Sequence, residues 1–176
     1  MRHGKTLKVY ATESRPVMQG ARLTSYELAS DGFDVTLLPD TAVGLAMQRG
    51  MIDRVVVGAD RITKDGHVFN KIGTFQIATL AREHGVPFYV VAPLSTFDFE
   101  SDWRNVKIEE RSPEEVKSIR GVKTAPSEVG VFNPAFDCTP PNLISAIICE
   151  EGVLTKPFGP KINRLSKLVQ RNTNKS

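Results

Sequence analysis

Between residues 7 and 93 the chain alternates short apolar runs with amphipathic stretches, and that alternation constrains the fold more than any other feature. LKVYATE (7–13) has strand composition. GARLTSYELASDG (20–32) sets Leu23, Tyr26 and Leu28 at near-helical spacing and stops at Gly32. DVTLLPD (34–40) predicts a second strand, TAVGLAMQRG (41–50) a short helix closed by glycine, and RVVVGAD (54–60) an almost continuous apolar strand. NKIGTFQIATLAREHG (70–85) predicts a helix with Ile72, Phe75, Ile77 and Leu80 toward the core and Gly85 at its end. VPFYVVAP (86–93) reads as another buried strand.

Apolar strands that alternate with helices through short links imply a parallel sheet covered on both faces. The predicted fold class is α/β: a doubly wound, mostly parallel, Rossmann-like sheet flanked by helices. The second half is less regular. SPEEVKSI (112–119) predicts a short helix with Ser112 as N-cap and Pro113 at its first position. Residues 120–135 read as loop. TPPNLISAIICEEG (139–152) predicts a helix started by Thr139 and the prolines and stopped by Gly152, and VLTKPF (153–158) a last short strand. With no Gly/Ser-rich linker and no repeat, residues 1–160 are expected to form one domain. Residues 161–176, with five bases and no acid, are expected to form a basic C-terminal helix and tail.

Composition excludes several function classes. A chain of 176 residues can bury a real core. Its 23 Lys and Arg against 20 Asp and Glu give a net charge of +3, too small an excess for nucleic acid as a main partner. No apolar run approaches a membrane span, and the opening MRHGKTLKVYATES has no stretch long enough for a signal peptide, so a cytoplasmic location is expected. Cys138 and Cys149 sit in no metal-like spacing and do not make a disulfide framework. Cys149, in LISAIICEEG, reads as a small buried hydrophobe. There is no P-loop, no GxGxxG after a strand and no HExxH.

In an open parallel sheet, ligands bind beyond the carboxyl ends of the strands. The first predicted strand runs into Glu13, Ser14, Arg15 and Pro16, and Gln19-Gly20 opens the helix. The second ends at Asp40, which can accept from sugar hydroxyls or cap the following helix. The third ends at Asp60, where a partly desolvated carboxyl suits proton transfer. Asn70 is an N-cap by type, and Lys71 in a first helical turn opposes the helix dipole unless an anion sits there. Backbone N–H groups, dipole and ammonium would then converge on one phosphate. A Lys71 that simply extends into water is the equal alternative. Arg15 and Gln19 are further candidate donors. His67 reads as a surface residue and His84 as a helix C-terminal one.

Four stretches resemble the C-terminal domain of methylthioribose-1-phosphate isomerase: ESRPVMQGARLTSYEL (13–28), VVVGADRITKDGHVFNKIGT (55–74), PFYVVAPLSTFD (87–98) and NPAFDCTPPNLISAII (133–148). The resemblance covers roughly residues 7–160. The fold is shared with ribose-1,5-bisphosphate isomerase and with regulatory subunits of translation initiation factor 2B. GADRI and APLSTFD favour the methylthioribose enzyme. The resemblance implies conversion of an aldose 1-phosphate to a ketose 1-phosphate in methionine salvage, without metal or nucleotide. It implies Asp60 as catalytic aspartate, Gln19, Asn70 and Lys71 as substrate and phosphate ligands, and dimers through this domain. The family's catalytic cysteine, in a Thr-His-Cys-Asn-like motif, and its N-terminal helical domain lie outside these residues. Cys138 and Cys149 occur in other motifs. The expected partners are a sugar phosphate and either a second copy or a polypeptide carrying the N-terminal domain. Three readings stay open: the C-terminal part of a split isomerase, a truncated chain, and a non-catalytic sugar-phosphate-binding or regulatory domain like the initiation-factor subunits.

Overall fold

A computed structural model describes residues 6–173. In chain order the strands are β1 (Lys8–Thr12), β2 (Asp34–Leu38), β3 (Val55–Val57), β4 (Arg61–Thr63), β5 (Val68–Lys71), β6 (Phe88–Val91), β7 (Phe97–Asp98), β8 (Ser118–Ile119), β9 (Val122–Lys123), β10 (Phe136–Thr139), β11 (Ala146–Cys149) and β12 (Gly152–Thr155). The helices are α1 (Ser25–Ser30), α2 (Val43–Gln48), α3 (Thr74–Glu83), α4 (Glu114–Lys117) and α5 (Phe158–Thr173). These residues group into two units. The first joins the chain up to Ile52 with Glu110–Asn133, and the second joins Asp53–Glu109 with the chain from Pro134 onward. No described helix is long and apolar enough to cross a membrane.

In the first unit β1 and β2 pair in parallel, with Lys8 opposite Asp34 and Thr12 opposite Leu38. A π-helical turn over Gly20–Thr24 leads into α1. Helix α2 buries Val43, Ala46 and Met47, the i, i+3, i+4 stripe of an amphipathic helix. Helix α4 is shorter than its sequence predicts, and the Ser112 hydroxyl accepts from the Glu114 N–H at its start (3.3 Å). Part of the expected loop after it forms an antiparallel hairpin, β8 with β9, turned at Gly121 with φ +81.

The second unit holds two four-stranded sheets. In the order β12-β11-β6-β3, the strands β3, β6 and β11 are parallel and β12 is antiparallel. Val57, Val90, Ile147 and Leu154 stand side by side across this sheet. Val90 and Ile147 are 0% exposed and Leu154 is buried, so this face is dry. The opposite face leaves Val56 64%, Val91 45% and Val153 64% exposed. The two-sided cover expected for RVVVGAD is therefore present on one face. The other sheet, β10-β5-β4-β7, is antiparallel except between β4 and β7, and buries Ile62, Val68, Phe69, Phe97 and Thr139. Helix α5 buries Phe158, Ile162 and Leu165, spaced i, i+4, i+7.

Two predicted helices are corrected. TPPNLISAIICEEG forms no helix: Thr139 ends β10, Pro141–Leu143 makes one 3-10 turn, and β11 and β12 form an antiparallel hairpin. Ile147 and Ile148 are β-branched and pair with Val90 and Val91, and Gly152 takes φ +112 at the turn. A short apolar run does not by itself separate strand from helix. The helix expected over 70–85 begins at Thr74, because Asn70 and Lys71 are held in β5 opposite β10. Its buried face is consequently Thr74, Ala78 and Ala81, and Phe75 is exposed.

Candidate functional site

Strands β4 and β5 form a hairpin that brings the two ends of the 60–71 segment together. Arg61 stands opposite Phe69, and the Asp60 N–H donates to the Phe69 carbonyl (2.8 Å). The Asp60 carboxyl therefore lies near Lys71. Asp60 is an exposed residue, less desolvated than its strand-end position predicts; the partial loss of solvent around its carboxyl raises its pKa above the ordinary aspartate value, and the Lys71 charge acts in the opposite direction. The hairpin turn is closely packed. Thr63 is fully buried and its hydroxyl donates to Asp65. Gly66 takes φ +86 where a Cβ would stand 2.7 Å from that of Phe158, so no other residue fits. His67, expected on the surface, has a side chain only 17% exposed. Its ring stacks on Trp103 with centroids 5.0 Å apart, and its Nδ1 lies 2.8 Å from an Asp65 carboxylate oxygen.

Asn70 and Lys71 do not open a helix, so the predicted convergence of ammonium, dipole and free amides on one phosphate is corrected. The N-cap position of α3 is Gly73, at φ +101. The Gly73 and Phe75 N–H groups donate to the two carboxylate oxygens of Asp137, at 2.7 and 3.0 Å. An anion does sit at the helix end, and the chain supplies it. Asn70 Nδ2 donates to the Thr74 hydroxyl (3.0 Å), which donates to the Lys71 carbonyl (2.7 Å). Lys71 Nζ stands over the Phe136 ring, 5.2 Å from its centroid. Burial raises the Asp137 pKa, opposed by the two amide hydrogen bonds. Asp137, Phe136 and Thr74 escaped the sequence reading. The available signal was an acid placed in the apolar stretch ahead of TPP.

Next to Asp137, burial and the charges of Asp65 and Asp137 push the Cys138 thiol up to about 11. Such a thiol holds almost no thiolate at neutral pH and is a poor nucleophile.

Arg15 and Gln19 belong to the first unit, on the loop after β1. Asp40 neither caps a helix with its side chain nor stands free: its two oxygens accept from the Ser14 N–H (2.8 Å) and the Arg15 N–H (2.7 Å). The loop is tightly wound, with φ +61 at both Ser14 and Met18. The Arg15 guanidinium donates to the carbonyls of Pro16 (3.1 Å) and Val116 (3.0 Å). Gln19 Oε1 is buried and accepts no hydrogen bond from the described residues. Gly20 is required where it stands, since a Cβ there would meet the Thr12 carbonyl oxygen at 1.8 Å.

Residues 1–156 match the Initiation factor 2 subunit family, and the chain belongs to it. Methylthioribose-1-phosphate isomerase of Fervidobacterium nodosum is 53% identical over 163 residues, covering 92% of this chain and 47% of that protein. The crystal structure of 5-methylthioribose 1-phosphate isomerase from Pyrococcus horikoshii aligns with a TM-score of 0.89 at 48% identity, over 92% of this chain and 46% of that one. The crystal structure of translation initiation factor 2B, subunit delta, from A. fulgidus also aligns at 0.89, with 49% identity over 93% and 48%. These matches carry the α/β class of the fold. The chain spans about half the length of the relatives it matches.

Proposed function

We propose that this chain is the sugar-phosphate-handling part of an isomerase that converts 5-methylthioribose 1-phosphate into 5-methylthioribulose 1-phosphate in methionine salvage. The observation that carries the reading is the β4–β5 hairpin, which sets the Asp60 carboxyl near the Lys71 ammonium, with the raised Asp60 pKa in accord. The names of the relatives above supply the substrate. In such a substrate the C1 oxygen is esterified, so ring opening needs a proton on the ring oxygen. Carbon C2 then passes from alcohol to ketone while a hydrogen moves to C1. The two changes cancel, and no outside oxidant or reductant enters. A carboxyl that holds its proton more tightly than an ordinary aspartate suits both donation and acceptance. Lys71 and Asn70 are the proposed phosphate ligands. Taken by itself, the first unit offers Gln19, whose buried oxygen accepts no hydrogen bond from the described residues, and Arg15, whose guanidinium donates to two carbonyls.

The raised Cys138 pKa argues against that thiol as the family's catalytic cysteine. We propose that the cysteine motif is supplied from outside these residues, by a companion polypeptide in a complex or dimer or by the rest of a longer chain. The test is turnover of 5-methylthioribose 1-phosphate by this chain mixed with such a polypeptide. No turnover with both parts folded contradicts the reading. A second reading, a non-catalytic regulatory domain, draws on the equal likeness to the A. fulgidus factor subunit. It predicts a tight protein complex with no calorimetric heat from the sugar phosphate.

A further inference from the structure

We propose that Asp137 is the positioning residue of the Asn70–Thr74 segment, and that by occupying amides at the start of α3 it assigns the substrate's phosphate to the Lys71 and Asn70 side chains rather than to the helix amides. This rests on the sugar-phosphate reading above.

Three ties converge on the six residues Asn70–Phe75. The first is the Asp137 carboxylate, which takes one N–H on each side of Thr74, from Gly73 and from Phe75. The second is strand register: β10 pairs with β5 so that Asp137 stands opposite Asn70 and Phe136 opposite Lys71. The same strand thus delivers the carboxylate that fixes the turn and the ring that Lys71 Nζ stands over. The third is the Thr74 hydroxyl, which receives the Asn70 amide and donates to the Lys71 carbonyl.

The consequence for an incoming anion is definite. A free helix N-terminus attracts phosphate through its amides and dipole. Here two of the amides at the start of α3, those of Gly73 and Phe75, are already bonded to a negative group. A second anion at that end meets repulsion. The turn's remaining attraction is the Lys71 ammonium and whatever donors Asn70 retains after bonding Thr74. Holding those two side chains in place before the ligand arrives is the contribution assigned to Asp137.

The two possibilities predict opposite signs for one substitution. Asp137→Asn keeps the shape of the side chain, removes its charge and sets an amide NH2 against one of the two donors. Phosphate seated on the helix end would bind this variant as tightly as the wild type or tighter, because a repelling charge is gone. Positioning predicts affinity lowered by about tenfold. The experiment titrates 5-methylthioribose 1-phosphate into the full chain by calorimetry. NMR follows the Lys71 ε-methylene protons, shielded by the Phe136 ring, with the Ile147 methyl groups as a control for the core. The expected result is weaker binding, Lys71 signals displaced toward those of a free lysine, and unmoved Ile147 signals. Unchanged or tighter binding, or an unmoved Lys71 signal, overturns the proposal. Should Asp137→Asn fail to fold, Asp137→Ser, which accepts a single amide, is read by the same signals. A wild-type chain that takes up no probe contradicts the functional reading instead, and the Lys71 signal in the variant then decides the positioning role alone.

Discussion

Asp40 and Asp137 do the same job in different surroundings. Each carboxylate accepts two backbone N–H groups from a segment that carries candidate binding residues, Asp40 from Ser14 and Arg15, Asp137 from Gly73 and Phe75. Around Asp137 the segment is bounded by a registered strand and a helix, and the unit's core includes Ile62, Phe88, Val90, Ile144 and Ile147 at 1% exposure or less. Around Asp40 the loop contains two residues at φ +61. The buried apolar side chains described in that unit are Ala11, Val43, Ala46 and Met47. The second unit holds its segment by packing, with the carboxylate as a final constraint. The first unit leans on the carboxylate itself, since burial of so few side chains contributes little to oppose loop strain.

The largest effect that tests this contrast is in the cores. Ile147→Ala is expected to cost about 3–4 kcal/mol of unfolding free energy, and Met47→Ala about 2 kcal/mol, by urea denaturation. Equal costs would erase the difference between the units. Next is Asp40→Asn, expected to cost about 1–2 kcal/mol locally through one lost charge-assisted hydrogen bond. Hydrogen exchange reads it directly: in the wild type the Ser14 and Arg15 amides should exchange faster than those of Gly73 and Phe75, and Asp40→Asn should widen the gap. The reverse order would break the comparison.

A smaller effect concerns Asp60. Its folded pKa is raised, so the folded chain binds more protons than the unfolded chain between the ordinary aspartate pKa and the raised one. The group's contribution to stability is therefore full below about pH 4 and lost as pH rises through the folded pKa. Asp60→Asn should unfold at the same urea concentration as the wild type in acid and at a higher one at neutral pH. A neutral-pH loss of stability would contradict the raised pKa of this carboxyl. Smallest of all, Val56→Thr on the exposed sheet face should change stability by less than about 0.5 kcal/mol in the isolated chain.

The sequence makes local features legible and hides distant ones. β1, β2, β3 and β6 follow from apolar runs, and Asp60, Asn70 and Lys71 are found together because one short hairpin carries them all. Asp137 is missed because it lies 64 residues from Gly73, and only strand register brings it there. That omission also misplaces the start of α3: without β10 as a partner, Asn70 and Lys71 read as helix. Asp40 reads in sequence as an acceptor for sugar hydroxyls or a cap of the next helix; the structure instead turns its oxygens back to the Ser14 and Arg15 amides, a contact that sequence spacing does not reveal. The apolar residues of LISAIICEEG fit both the helical and the strand period, and pairing with β6 decides for strand.

The central claim is that Asp60 moves protons on a sugar 1-phosphate. It is tested most directly by conversion of 5-methylthioribose 1-phosphate in a mixture of this chain with a folded polypeptide carrying the cysteine motif. The account predicts turnover that falls by about a thousandfold in Asp60→Asn, with the variant folded and at least as stable at neutral pH. Turnover of Asp60→Asn at the wild-type rate would contradict it.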